Sequence, residues 1–317
     1  MTVLITGAVA YDTVFTHDGR FEERLRGSDL SHLNTTFLTR GMRRDFGGCG
    51  ANIAVAVRRL GGDPVLWGAV GADGGAYLER FAALGISTAG IGRFDDAYTA
   101  QCVIFTDAAG AQLAVFHPGA MDRSREVPWP RTAAGEALRP SWAVLAPGGR
   151  ETTLNAAREC AARGVPYLFD VGQELPLFSP EELTMLLEGA FGIAYSDYEA
   201  EAFARRTGID ARAAAKRGKV VLQTHGERGA DLLLPGEAGP HFIESLCVRA
   251  QSAVGAGDAM RGGFLFGLDR GLGFLEAARL GAVTAAEKVA SPSAQDYPLT
   301  LERARRDYEG LWGAAPF

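Results

Sequence analysis

Apolar and polar positions change their period several times along this chain, and each change marks an element. Val3 to Ala10 is a short apolar run closing in small residues before Tyr11-Asp12, the pattern of a buried strand feeding a loop. Residues 13–46 are polar, with a strand-like piece at Thr35 to Thr39, and read as an excursion from the main core. After Gly47-Gly48, the positions Asn52, Ile53, Val55, Ala56 and Leu60 repeat at helical spacing, and Gly61-Gly62 ends the helix. Pro64 to Val70 reads as a strand and Tyr77 to Leu84 as a helix closed by Gly85. Thr99 to Thr106 and Ala111 to Phe116 are β-rich and joined by Asp107-Ala-Ala-Gly110, which predicts a hairpin with a longer turn.

From Trp142 onward strand and helix alternate. Strands are predicted at 143–146, 165–170, 192–195, 220–224 and 230–234, with helices at 151–163, 181–187, 198–207, 258–268 and 274–290. Repeated β–α units predict an α/β fold with a doubly wound, mostly parallel sheet. The excursions, about 13–46 and 99–121, are candidates for one small β-rich lid inserted in a single domain spanning 1–317.

Composition narrows the classes. Apolar residues make up 47% and charged residues 22% of 317, an ordinary globular balance. A net charge of −6 sets nucleic acid aside as a partner, because a phosphate backbone needs a cationic face. Apolar runs fall short of the roughly 20 residues a bilayer requires, and the N-terminus lacks a signal-peptide pattern. Cys49, Cys102, Cys160 and Cys247 are scattered, without metal-ligand spacing. The expected compartment is cytoplasmic, with no membrane partner. Cys49 and Cys102 read as small buried hydrophobes.

Val254 to Phe264, VGAGDAMRGGF, carries the strongest chemical signal. Small residues at 255–257 let backbone approach a ligand, and the helix that follows presents unpaired N–H groups and a positive dipole end. Asp258 in its first turn is placed to accept a proton from an attacking hydroxyl. Taken singly, this is also an ordinary glycine turn with an acidic helix start. Gly47-Gly48-Cys49-Gly50-Ala51-Asn52 is a second glycine-rich helix start, and Thr224-His-Gly226-Glu-Arg-Gly229-Ala230 a glycine turn between strands. No G-x-x-x-x-G-K-[ST] is present, so this is not a Walker P-loop enzyme, and the lack of a G-x-G-x-x-G at the first strand–helix turn weakens a Rossmann oxidoreductase.

Together and in this order, the three segments resemble the ribokinase (PfkB) family over essentially the whole chain. The resemblance implies a ribokinase-like three-layer α/β/α fold with a small β-rich lid, using ATP and Mg2+. It implies nucleotide contacts from Thr224, Gly226 and Gly229, and an anion hole from Gly255, Ala256 and Gly257 beside the catalytic base Asp258. Within the family the chain looks most like bacterial adenosine and nucleoside kinases. That likeness is carried by Gly7 to Asp12, Phe116 to Met121, Gly172-Gln173, Leu175 to Phe178, Asp197 to Glu199, and Arg261-Gly-Gly. It implies phosphorylation of the 5′-hydroxyl of a ribonucleoside, adenosine first. Asp12 and Asn52 would hold the ribose hydroxyls, Gly48 would allow close approach, and Phe116 and Gln173 would lie around the base. A sugar kinase on the same fold and a catalytically degenerate nucleoside-binding protein remain alternatives. A homodimer through the lids is expected, since pairing removes exposed strand edges.

The chain departs from the family pattern in three places. Ser252-Ala253-Val254 stands where Asp-Thr-x usually precedes Gly-Ala-Gly-Asp, and Ser293 where close relatives carry glycine. Both changes weaken the expectation of potassium activation. Asn-x-x-Glu appears as Ser196-Asp-Tyr-Glu199, which is also a capping box, with Glu199 expected to organise magnesium through water. Cys102 replaces an aromatic that stacks on adenine in some adenosine kinases, which predicts relaxed base selectivity.

Overall fold

A computed structural model describes residues 2–25 and 34–317. In chain order the first strands are β1 (Thr2–Thr6), β2 (Ala10–Thr16), β3 (Gly41–Gly47), β4 (Asp63–Gly71), β5 (Ile91–Phe94), β6 (Ala100–Thr106) and β7 (Gln112–His117). Then come β8 (Trp142–Leu145), β9 (Tyr167–Asp170), β10 (Gly192–Ser196), β11 (Val220–Thr224), β12 (Ala230–Leu233) and β13 (His241–Ile243). Helices α1 (Phe21–Leu25), α2 (Cys49–Arg59), α3 (Gly75–Leu84), α4 (Arg150–Arg163) and α5 (Pro180–Gly189) interleave with them. They are followed by α6 (Asp197–Thr207), α7 (Ala211–Lys216), α8 (Ala256–Asp269), α9 (Phe274–Val289) and α10 (Leu301–Trp312).

Nine strands form one sheet in the order β13-β12-β11-β10-β9-β8-β1-β4-β5. Pairing is parallel from β5 across to β11, whereas β12 and β13 run antiparallel at one edge. Both faces are covered, so the central strands read as apolar runs rather than alternating ones. Val3 and Ile5 of β1 pack with Ile53 of α2 and Phe264 and Leu265 of α8, while Leu4 packs with Leu154 of α4 and Leu183 of α5. The result is the expected helix–sheet–helix arrangement. Helix α8 lies tightly between α2 and α9: an added Cβ at Gly262 would come 2.5 Å from Ala56 Cβ, and one at Gly263 2.8 Å from Gly281 Cα. Gly262-Gly263 therefore sets the depth of the helix whose first turn carries Asp258.

Sheet order reverses between β1 and β8, and in such sheets the crevice at the carboxyl ends of the strands is the natural ligand site. The Val3 to Ala10 run, expected as one strand, divides here. β1 ends at Thr6, Gly7 adopts φ 146°, and the chain re-enters as β2 in a second sheet. Hydrophobicity is continuous across the break, and only the left-handed-side conformation of Gly7 separates the two elements.

The second sheet has four strands in the order β3-β2-β6-β7, drawn from both excursions. Thr35 to Thr39 is irregular rather than extended in a strand; the pairing segment is β3, whose polar GMRRDFG has no apolar alternation. Residues 26–33 of the first excursion lie outside the described residues. The 99–121 hairpin forms with β6 and β7 antiparallel. Helices α7 and α10 and strands β5 and β13 had no counterpart in the sequence pattern. α10 caps its own start through Thr300, whose hydroxyl accepts the Arg303 N–H at 3.2 Å, and buries only Ala304 and Tyr308.

Candidate active site

Two adjoining clefts open at the switch point. The larger, about 1430 Å3, is bounded by the small sheet through Asp12, Cys102 and Phe116, and by the large sheet's loops through Gly48, Gln173 and Glu199. The smaller, about 790 Å3, runs from Thr224, Gly226 and Gly229 across to Met260 and Ala286. Gly257, Ser196 and Thr224 border both clefts, and Asp258 faces the larger at this junction. All the candidate residues read from the sequence thus come to one place, although they are spread from residue 12 to residue 258.

The N-terminus of α8 explains the junction. Gly255 occupies the N-cap at φ 79°, with no side chain capping the turn. The Ala256 N–H donates back to the Ala253 carbonyl at 3.1 Å, whereas among the described residues the Gly257 and Asp258 N–H groups have no backbone partner. The N–H groups left open at this helix start are therefore those of residues 257 and 258, whereas that of Ala256 is engaged.

Asp258 is held by Asn52, whose Nδ2 donates to its Oδ2 at 2.8 Å. Burial raises the Asp258 pKa above the usual carboxylate value, against the lowering effects of the Asn52 bond and the Arg261 charge. The Asn52 amide is itself oriented, because its Oδ1 accepts from Gln295 Nε2 at 3.0 Å. Gln295 is fixed in turn by Arg80 Nε, which donates to its Oε1 at 3.0 Å. This places Asn52 closer to a positioning role for Asp258 than ribose contact would require. Its second amide hydrogen remains available to a ligand.

Approach of α2 to the strand ends is what allows these contacts. Gly48 precedes α2 at φ 89°, and an added Cβ there would sit 2.5 Å from the Ala8 carbonyl oxygen. Any larger residue would push α2, and Asn52 with it, away from the crevice. Cys49 and Cys102, expected as buried hydrophobes, are only partly buried and line the larger cleft.

Asp12 projects from β2 opposite Cys102 and Asp45. Among the described residues no N–H or O–H donates to its carboxylate. Burial, then the nearby charges of Asp45 and Asp258, push its pKa up to about 6. Phe116 on β7 lies opposite Cys102, 49% exposed and facing the cleft.

Behind the α8 turn, Arg261 and Asp170 form a buried ion pair, with Nε and Nη2 at 2.9 and 2.8 Å from Oδ1. Even so, burial raises Asp170 to about 7. Glu199 lines the larger cleft with one oxygen committed, since Oε2 accepts the Ser196 N–H at 2.7 Å while the Ser196 hydroxyl caps α6. Such a set fits a divalent ion brought by a phosphate ligand, which needs only one or two protein carboxylates plus water.

In the smaller cleft, β11 ends at Thr224 and a short 3-10 turn over Gly226–Arg228 leads to β12. Gly226 has φ 62°, and an added Cβ would meet nothing within 4 Å, so this turn presents open backbone to the cleft. Ala253, Ala282, Ala286 and Val289 make the opposite wall apolar.

A protein-family model described as pfkB family carbohydrate kinase matches residues 8–300. The chain belongs to this family. Among solved structures it is similar to a nucleoside kinase of Burkholderia thailandensis. The complex of that protein with inosine aligns at TM-score 0.87 and 37% identity, covering 99% of both chains, and its ADP-inosine complex aligns at 0.84. A curated nucleoside kinase of Methanothermobacter thermautotrophicus is 26% identical over 99% of this chain and 97% of its own length. A fructokinase of Klebsiella pneumoniae is 33% identical over 70% of this chain and 76% of its own. The ribokinase-like fold expected from the glycine segments is thereby shown.

In this pfkB kinase three contributors escaped sequence reading. Asp170 ends a strand as any turn aspartate would, and Gln295 sits in an irregular loop. Lys288 looks like a surface lysine in the last turn of α9 yet is fully buried. Only long-range packing brings them to the site.

Proposed function

We propose that the chain transfers the γ-phosphoryl group of ATP to the 5′-hydroxyl of a ribonucleoside, adenosine among its substrates. The observation that carries this reading is the Asn52–Asp258 pair at the junction of the two clefts. On one side stands an unpaired carboxylate, Asp12, suited to accept from both hydroxyls of a diol. On the other stands an open glycine turn beside an apolar slot, suited to nucleotide phosphates and base. The larger cleft continues past Asp12 to Phe116 and Gln173, which is more room than one monosaccharide occupies. The Burkholderia relative's complexes with inosine and ADP-inosine support the same reading.

In this mechanism Asp258 takes the hydroxyl proton as the oxygen attacks, and Asn52 keeps the carboxylate aimed. The Gly257 and Asp258 N–H groups stabilise charge on the transferring phosphoryl. Asp12 holds the ribose and Phe116 and Gln173 flank the base. The small sheet serves as a lid that excludes water. Magnesium supplied with the nucleotide would neutralise its phosphates, with Glu199 acting through water. Loss of an aromatic at Cys102 leaves stacking to Phe116, which favours broad base tolerance.

Two copies pair through the small sheets in this proposal. β7 is an edge strand carrying Leu113 and Val115, 52% and 67% exposed, on the face away from the cleft. Burying that edge removes an aggregation liability.

A coupled ADP-release assay across adenosine, inosine, other ribonucleosides, ribose and fructose tests the reading. Preference for ribonucleosides is expected. Turnover confined to free sugars would make the chain a sugar kinase, and tight nucleoside binding without ADP release would make it a binding protein.

A further inference from the structure

The stretch entering the α8 turn is pinned to the end of α9. Gln251 and Ser252 N–H groups donate to the Val289 carbonyl at 2.8 and 3.3 Å, and Gln251 Nε2 donates to the Ala290 carbonyl at 2.6 Å. Beneath it the Lys288 ammonium donates to the Ser252 carbonyl at 2.7 Å and to the Ser291 carbonyl at 3.4 Å. Lys288 is 0% exposed, and among the described residues no carboxylate forms an ion pair with it. Burial lowers its pKa to about 8, while Asp258 acts to raise it.

A buried cation without a paired anion is costly, and backbone carbonyls are the groups that compensate it here. They are also the groups by which proteins replace the hydration shell of potassium. The chain has serine at 252, where its family usually places an aspartate that helps hold a monovalent cation. Ser293, in the other loop, spends its hydroxyl accepting the N–H groups of Gln295 and Asp296 at 3.2 and 3.1 Å. These residues therefore do not fit a dissociable monovalent cation, because an ammonium already fills the carbonyl cradle.

We infer that Lys288 is a resident, covalently tethered replacement for that cation: it holds the 252–255 turn and adds positive potential behind the anion-binding N–H groups of α8. It is a positioning residue that touches no substrate. The inference rests on the kinase reading above.

Wild-type protein, assayed at constant ionic strength with tetramethylammonium as the inert ion, is expected to turn over equally with or without potassium. Lys288→Met is expected to lose about 10–100-fold in kcat with a smaller change in nucleoside KM. Potassium, ammonium or methylammonium should then restore part of that loss, which a merely structural lysine would not allow. Lys288→Arg should retain more activity than Lys288→Met. Strong potassium activation of the wild type, full activity of Lys288→Met without added cation, or a loss that no cation rescues would each overturn the inference. If Lys288→Met does not fold, the wild-type titration and Lys288→Arg still decide. Should no acceptor be turned over at all, the kinase reading fails separately. The cradle is then judged by melting, with potassium expected to raise the Tm of Lys288→Met and not of wild type.

Discussion

Asn52 Nδ2 donates to Asp258 Oδ2 at 2.8 Å across a sequence separation of 206 residues, joining the first turns of α2 and α8. This bond lowers the Asp258 pKa while burial raises it. Asn52→Leu should therefore reduce kcat about 10–100-fold and move the acid limb of the kcat/KM profile to higher pH. Gln295→Leu, which frees the amide without touching a ligand, should move the same limb less. An unchanged limb in both variants would remove Asn52 from the control of Asp258.

Asp258→Asn keeps the size of the side chain and its place beside Asn52 but cannot take a proton. Turnover should fall by about 10²–10⁴-fold, with nucleoside affinity measured by calorimetry nearly unchanged. Retained turnover would assign the base elsewhere.

Asp12 makes a stability prediction with a definite sign. Its folded-state pKa of about 6 lies above the ordinary aspartate value of 3.8, so the native state binds the proton more tightly than the unfolded one. Its contribution is most favourable below the unfolded value and declines as pH rises through about 6. At neutral pH the buried charge is a net cost. Asp12→Asn should thus stabilise the protein by about 1–3 kcal/mol at pH 7, an advantage that fades below pH 4. The same variant should raise the nucleoside KM. Urea unfolding at two pH values measures the first effect and steady-state kinetics the second.

The buried Arg261–Asp170 pair should behave asymmetrically. Arg261→Met leaves a buried aspartate unpaired and should cost about 3–5 kcal/mol, whereas adding Asp170→Asn should recover much of that loss. A double-mutant cycle by urea denaturation checks the coupling. Additive losses would show that the two side chains are stabilised by other neighbours.

Val115→Glu places a charge on the outer face of the β7 edge and should convert a dimer to a monomer in sedimentation velocity. A wild-type protein that sediments as a monomer would refute pairing through the small sheets.

Legibility in the sequence followed how local each feature was. The 220–224 and 192–195 strands and the 274–290 helix were readable because a buried strand or an amphipathic helix declares itself within a dozen residues. The division of Val3 to Ala10 was not, since its apolar pattern continues through the Gly7 bend. β3 was missed because its sequence is polar and its strand conformation is set by pairing with β2. α10 was missed because its docking on α9 fully buries only Ala304 and Tyr308 and leaves half of its residues exposed.

By itself the sequence determined the alternation of strands and helices, the glycine turns at 48, 226 and 255, and an acidic residue in the first turn after Gly255. Short-range sterics and hydrophobic period dictate these, and they need no distant partner. Only the tertiary structure decided that Asn52 aims Asp258, that the Ala256 N–H is already spent on Ala253, and that Lys288 is buried against Ser252. Each of those depends on the depth at which α8 sits between α2 and α9. That depth is set by close packing across the whole core, which no local stretch of sequence encodes.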